Sequence, residues 1–176
     1  MKRILCLLLA LCLMLPVVAL AEETVKIGQV QYAAHGTSCF AVLTVAMQGD
    51  VIVAAYIDEF QFMTAGEAEG VPNSDQSFGG EANIVEGKVL ASKKVNNELY
   101  SANMAGHGEA TQELATSYAA IEAYVVGKTI AELEEAVGAY TEETKANFYA
   151  DVVSGSTLAD TLGYVKGLIE AAKAAQ

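Results

Sequence analysis

Hydroxyl side chains and a glycine are concentrated in residues 151–161, which read Asp-Val-Val-Ser-Gly-Ser-Thr-Leu-Ala-Asp-Thr. Three small residues at 154–156 allow the backbone to turn tightly, and the apolar spacing that follows predicts a helix from Thr157. Free backbone N–H groups at a helix start, together with the positive end of the helix dipole, bind anions. The segment therefore predicts a phosphate site.

The elements on either side of this turn must position it. Val152 and Val153 are β-branched and predict the end of a buried strand. The expected helix face then consists of Leu158, Leu162, Val165, Leu168 and Ile169. Thr157 and Asp160 also fit a capping box, in which the hydroxyl serves the N–H groups of its own helix. From this segment alone, the phosphate site and the capping box are equal alternatives.

The same segment resembles the flavinylation motif of the FMN-binding domain family, in which Asp, two spacer residues and Ser-Gly-Ala-Thr precede a helix. Asp151, Ser154, Gly155 and Thr157 match that motif, and Ser156 replaces the usual Ala. The resemblance implies that these five residues bind FMN. It also implies that a separate flavin transferase, using FAD, joins the phosphate of FMN to the hydroxyl of Thr157.

A second, longer resemblance lies upstream, to the secreted FMN-binding proteins related to that family. It covers most of the chain in the same order and is found in residues 33–36, 54–63, 70–75, 91–96, 100–104 and 127–129. It implies an α+β fold with an antiparallel sheet packed with helices. It further implies an electron-carrying flavoprotein rather than a turnover enzyme.

The first 21 residues have the pattern of a secretory signal peptide. Lys2 and Arg3 precede an apolar run, and Ala19-Leu20-Ala21 is typical of a signal peptidase site. We therefore predict a signal peptide over 1–21, a single domain over 22–176, and secretion to the exterior or surface of a bacterium. Because Leu11 precedes Cys12 and no cysteine lies near Ala21, a lipid anchor is not expected. The apolar run is short for a spanning helix and ends at Pro16, so stable membrane insertion after cleavage is not expected either.

The charge and cysteine content limit the possible partners. The first 21 residues contain two of the ten basic residues and none of the 22 acidic ones, so the remainder has a net charge of −14. Such a surface repels nucleic acid, which we do not expect as a partner. Cys39 is the only cysteine after residue 21, so no internal disulfide is expected.

Alternating and periodic apolar residues predict the order of the elements. Strands are expected at 25–32, 40–47, 51–62 and 88–95, helices at 96–105, 111–126 and 129–138, and a long loop at 63–87. Gln48-Gly49-Asp50 joins the second and third strands and predicts a hairpin. Since both faces of the second strand are apolar, we expect helices on both sides of it.

No catalytic or metal-ligating residue is predicted. His35, His107 and Cys39 do not form a recognised zinc pattern. Asp58 and Glu59 are neighbours on a strand, so they point to opposite faces and one is expected to face solvent.

For two lysines and three tyrosines, the simplest interpretation is a role in the fold rather than in a site. The default for Lys93 and Lys94 is a solvated face, and the alternative is a contact with a flavin. Tyr56, Tyr118 and Tyr164 are spaced as core and helix-face residues.

The resulting hypothesis is a secreted flavoprotein that binds FMN, covalently through Thr157, and carries electrons in extracellular redox transfer. Its expected partners are a flavin transferase, a membrane electron donor and an extracellular acceptor. The alternative is a secreted surface or signalling module with the same fold and no covalent flavin. Neither the donor and acceptor nor the redox potential and oligomeric state follow from the sequence.

Overall fold

Four antiparallel strands form one sheet in the order β1-β2-β3-β4. The computed structural model describes residues 23–75, 85–108, 110–141 and 143–176, so the expected signal peptide lies outside the described residues. The strands are β1 (Val25–Tyr32), β2 (Cys39–Gln48), β3 (Val51–Thr64) and β4 (Lys88–Ser92). With the helices packed on this sheet, the predicted α+β class is confirmed.

The helices follow the sheet in the chain. They are α1 (Asn97–Gly108), α2 (Leu114–Val125), α3 (Ile130–Gly138), the single turn α4 (Phe148–Asp151) and α5 (Thr161–Ala174), with a 3-10 turn at Lys145–Asn147. The predicted capping box of α3 is confirmed, because the side chains of Thr129 and Glu132 each bond to the other's backbone N–H. None of the described helices is both long and apolar enough to cross a membrane.

The predicted hairpin is present as β2 and β3. Its strands are rich in Val, Ile and aromatic residues, and two residues, Gly49 and Asp50, connect them. The pairing places Leu43 opposite Ile57 and Phe40 opposite Phe60. Because opposite residues of an antiparallel pair share a face, this register separates a buried face from an outer one.

Within the described residues, helices cover one face of the sheet, whereas the sequence predicted helices on both. On β2, residues 41, 43, 45 and 47 are buried, whereas residues 40, 42, 44 and 46 are half-buried. Helix α5 packs on β1 and β2, and α2 packs on β3. The apolar residues of the outer face partly cover one another, as in the stack of Phe40 on Phe60, whose ring centroids are 5.6 Å apart.

The side of β1 that faces the core also differs from the prediction. The alternation in residues 25–32 predicts a half-buried strand with its first Val and Ile on the buried side, but Val25 and Ile27 are 52% and 71% exposed. Gly28 is buried instead, because α5 crosses it so closely that a Cβ there would lie 2.0 Å from the carbonyl oxygen of Ala171. The missing side chain of a glycine therefore decides how α5 packs on β1.

The observed ends of the last strand and of the long loop differ from the predicted ones. The last strand ends at Ser92 rather than Val95, because residues 93–96 form a turn before α1. The expected loop over 63–87 begins two residues later, since β3 continues to Thr64, and its residues 76–84 lie outside the described part of the chain.

Gly28→Ala should lower the free energy of unfolding by about 2 kcal/mol, since the added methyl group overpacks the contact between β1 and α5. Gly106→Ala is the matched control. Gly106 lies inside α1 with nothing within 4 Å of an added Cβ, so the change should stabilise the protein by about 0.5 kcal/mol. Urea denaturation measures both, and equal stability of Gly28→Ala and the unsubstituted chain would contradict the packing described.

Candidate functional site

A cavity of about 610 Å³ opens between the sheet and the segment that precedes α5. Its volume is in the range of small-molecule sites, which is about 300 to 1,000 Å³. Apolar and aromatic side chains form much of its wall, among them Tyr100, Met104, Leu114, Tyr149 and Leu158. The principal polar groups are His35, Glu59, Lys93, Thr157 and Asp160. The arrangement suits a largely apolar small ligand with a few polar anchors.

An ion pair between Glu59 and Lys93 lies at this cavity and is removed from solvent. The side chains are 0% and 1% exposed, and the Lys93 ammonium donates to Oε2 of Glu59. The backbone N–H of Lys93 also donates to the Glu59 carbonyl oxygen at 2.7 Å, directly after the pairing of Phe60 with Ser92. The register of β3 and β4 thus brings the two charges together.

Two tyrosines extend the ion pair into the core. The hydroxyl of Tyr164 donates to Oε2 of Glu59 at 3.0 Å and lies 3.1 Å from the hydroxyl of Tyr118. Both rings are buried and meet edge to face, so the expected core role is confirmed for these two tyrosines. Tyr56 is 50% exposed, and the prediction is wrong for it because it lies on the outer face of the sheet.

Burial and charge fix the protonation of this network. Burial by itself would lower the pKa of Lys93, but the neighbouring Glu59 carboxylate outweighs it and raises that pKa above 10.5. Burial raises the pKa of Tyr118, and the Glu59 charge adds to the increase. The pKa of Tyr164 is raised mainly by burial as well, with Tyr118 and Glu59 adding to it. At neutral pH the ammonium and both phenols therefore keep their protons.

One oxygen of the network has no partner. Among the side-chain atoms of the described residues, Oε1 of Glu59 is the buried polar atom that makes no hydrogen bond. A buried acceptor left unsatisfied costs about 1 to 3 kcal/mol, and more when it is charged. Because Glu59 lines the cavity, this oxygen is a candidate contact for a ligand.

Two predictions for this part of the sheet are wrong. Asp58 and Glu59 are both buried, so neither faces solvent as expected. Asp58 lies on the outer face, where it accepts a hydrogen bond from the Ser92 hydroxyl at 2.7 Å. The expected solvated face is also wrong, because Lys93 is buried and Lys94 pairs with Glu122 at 2.8 Å. Sequence reasoning missed the pair of Glu59 and Lys93 because 33 intervening residues give no sign of the register that joins them.

The segment 151–161 folds differently from the prediction. The strand expected to end at Val153 is absent, because residues 148–151 form α4 and place the buried side chain of Phe148 in the core. Helix α5 begins at Thr161, four residues after the predicted start. Gly155 has φ +92, a left-handed conformation that suits glycine and keeps the chain from entering a helix there.

The structure brings one of the five predicted site residues to the cavity. Thr157 is exposed and lines it, whereas Asp151, Ser154, Gly155 and Ser156 do not. Asp151 accepts a hydrogen bond from the Tyr140 hydroxyl at 3.2 Å, and Ser154 is exposed. The Gly155 carbonyl accepts from the Gln112 amide, and the buried Ser156 hydroxyl bonds to Thr161 Oγ1 at 2.8 Å. Three of these four thus have contacts within the chain.

The expected row of free N–H groups at the helix start is not formed. The N–H groups of Thr157 and Leu158 donate to the hydroxyls of Ser117 and Ser156, both at 3.4 Å. Asp160 occupies the N-cap of α5 without a side-chain cap bond, so the alternative capping box of Thr157 and Asp160 is wrong too. The carboxylate of Asp160 pairs instead with His35 at 2.7 Å. The negative charge of Asp160 therefore lies at the helix start, where a phosphate was predicted.

The described residues contain no group of three or more His, Cys, Asp or Glu that could hold a metal ion. The thiol of Cys39 donates to the His35 carbonyl oxygen at 2.8 Å, and burial raises the pKa of this thiol, with Glu59 adding to the effect.

Comparison of the chain with protein-family models, curated proteins and solved structures finds no match.

The stability of the protein should fall above pH 10, because Tyr118 and Tyr164 have raised pKa values and the unfolded chain loses these protons first. Their contribution is complete below pH 10 and is lost as pH rises. Each such tyrosine steepens the fall by about 1.4 kcal/mol per pH unit. Tyr164→Phe should cost about 2 kcal/mol at pH 7 through its hydrogen bonds, yet flatten this fall.

Urea denaturation at several values between pH 8 and pH 11 measures the slope. Tyr56→Phe, at an exposed tyrosine outside the network, is the matched control and should keep the slope of the unsubstituted chain. An unchanged slope in Tyr164→Phe would show that this phenol does not stay protonated in the folded protein.

Proposed function

We propose that this chain is an extracellular flavoprotein with the fold of the FMN-binding domain family, which holds FMN at the described cavity and carries electrons. The observation that carries the proposal is the exposed hydroxyl of Thr157 at the edge of a cavity of about 610 Å³. The residue singled out by the flavinylation-like motif thus lies beside a space for a ligand. FMN would supply the redox chemistry, and the protein its binding and electrostatic environment.

The walls of the cavity suit the ring of a flavin. Tyr100, Met104, Leu114 and Leu158 offer apolar or aromatic surface. Such walls exclude water from a ring and bind it through burial of apolar area. Glu59 and Lys93 also belong to the wall and would provide hydrogen bonding and charge for the ring's heteroatoms.

The contacts around Thr157 favour a covalent phosphate over a bound one. Lys93, the lysine that lines the cavity, is paired with Glu59, and the nearby N–H groups already have acceptors. A phosphate monoester with a charge of about −2 would also meet Asp160. An ester bond at Thr157 removes one of these negative charges and does not depend on a cradle of donors.

The proposed attachment balances as a transfer reaction. The Thr157 oxygen forms a bond to the phosphorus on the flavin side of FAD while that phosphorus loses its bridging oxygen. AMP leaves, and the hydroxyl proton goes to AMP or solvent. The chain gains the mass of FMN less one water, and no oxidation or reduction occurs.

The acidic surface indicates which partners would suit such a carrier. A net charge of −12 over the whole chain speeds association with positively charged surfaces and slows it with anionic ones. We propose a flavin transferase, a membrane electron donor and an extracellular acceptor as its partners. Basic docking surfaces on these proteins would match the charge.

One observation favours the alternative, a surface or signalling module with no covalent flavin. Asp160 lies three residues from Thr157 in the wall of the same cavity, where its carboxylate disfavours an approaching phosphate. Its pairing with His35 reduces this repulsion when the imidazole is protonated. The two functions therefore differ in whether Thr157 reacts.

Production of the chain together with a flavin transferase should yield yellow protein whose mass exceeds that of the unmodified chain by FMN less one water. Thr157→Ala should lose all of the covalent flavin, because the acceptor oxygen is absent, and Thr157→Ser should retain part of it. Ser156→Ala is the matched control, since it removes a neighbouring hydroxyl and restores the usual residue of the motif. Intact mass after denaturation measures each variant.

Two outcomes would decide against covalent attachment. Yellow colour that is released on denaturation would show that FMN is held without a bond. Protein without colour under every condition would support the module that lacks a flavin.

A further inference from the structure

The unpartnered oxygen of Glu59 identifies the kind of group that the cavity binds. Oε1 is buried and makes no hydrogen bond, while Oε2 of the same carboxylate accepts from Lys93 and Tyr164. Removing a carboxylate oxygen from water without a donor is costly. The Cys39 thiol lies near this carboxylate but donates to the His35 carbonyl oxygen at 2.8 Å, so Oε1 still lacks a donor. Since Glu59 lines the cavity, a ligand can supply that donor.

The donor should be neutral rather than cationic. Lys93 already balances the charge of Glu59, and both side chains are excluded from solvent. A second cation beside Lys93 would meet a like charge in a medium that screens poorly and would have to lose its own hydration. A neutral N–H or O–H group meets neither penalty.

The surroundings of Glu59 restrict the ligand further. Tyr100 lies beside Lys93, with the ammonium 4.6 Å from the ring centroid, and Met104 and Leu114 add apolar wall. The matching ligand edge has a neutral N–H for the carboxylate and a carbonyl oxygen near the ammonium charge. An imide within a flat ring has this edge, because its N–H lies between two carbonyl groups.

We propose that Glu59 is the specificity-determining anchor of the cavity, accepting a hydrogen bond at Oε1 from the imide N–H of a flat heteroaromatic ring. This inference rests on the proposed function, in which the ring is that of FMN, whose pyrimidine end contains one such N–H. Lys93 positions the carboxylate and places positive charge beside the imide carbonyls. Thr157 holds the other end of the cofactor and has no part in this selection.

The test compares riboflavin with 3-methylriboflavin, in which a methyl group replaces the imide hydrogen. Both lack the phosphate, so neither Thr157 nor Asp160 affects the comparison through an ester. Titration of unmodified full-length protein, followed by quenching of flavin fluorescence, should give a dissociation constant for 3-methylriboflavin at least about 10-fold above that for riboflavin, as for one charge-assisted hydrogen bond.

Glu59→Gln provides the complementary change. The amide oxygen can keep the bonds to Lys93 and Tyr164, which leaves an N–H donor at the position of Oε1 facing the imide N–H. Binding of riboflavin should weaken about 10-fold, whereas binding of 3-methylriboflavin should change little. Glu122→Gln, which alters a carboxylate paired with Lys94 outside the cavity, is the matched control and should bind both ligands as the unsubstituted chain does.

Each result decides the inference. Equal affinity for the two ligands would overturn it and leave the proposed function standing. The same holds if riboflavin fails to bind to protein that acquires FMN at Thr157. If the chain takes up no flavin of either kind, the proposed function and this inference both fail. Should Glu59→Gln not fold, the comparison of the two ligands on the unsubstituted chain still decides.

Discussion

Burial of opposite charges at one point connects three parts of this molecule. Glu59 on β3 and Lys93 after β4 form the ion pair, and Tyr164 on α5 bonds to the same carboxylate. Each charge loses several kcal/mol of hydration on burial, and only the partner and the surrounding hydrogen bonds offset that loss. The packing of α5 over Glu59 therefore depends on the pairing of β3 with β4, because burial of Glu59 without Lys93 beside it would leave its charge unbalanced.

The same ion pair gives the cavity its two kinds of surface. The carboxylate and the ammonium provide a polar region, and Tyr100, Met104 and Leu114 provide an apolar one. Binding of the proposed ring would not require charged side chains to be ordered at that moment, because the pair is already fixed. Thr157 is exposed and belongs to a different part of the wall, and the role proposed for it depends on its hydroxyl chemistry rather than on burial.

Two predictions based on local signals are confirmed, whereas two that needed a tertiary partner are wrong. The hairpin of β2 and β3 and the capping box of α3 each depend on residues a few positions apart, and both are confirmed. The predicted start of α5 at Thr157 is wrong, because the turn at Gly155 and the contact of Asp160 with His35 hold residues 157–160 outside the helix. The prediction of which side of β1 faces the core is also wrong, because that side is decided by where α5 crosses Gly28.

The sequence by itself determined the α+β class and the order of the four strands and of the first three helices. Apolar periodicity and turn residues act over short distances along the chain, so they can be recognised without coordinates. Only the tertiary structure decided that Glu59 and Lys93 meet, that the described helices all cover the same face of the sheet, and that Asp160 lies at the start of α5. These features depend on strand register and on the approach of distant elements, which are set by packing energies summed over the whole core.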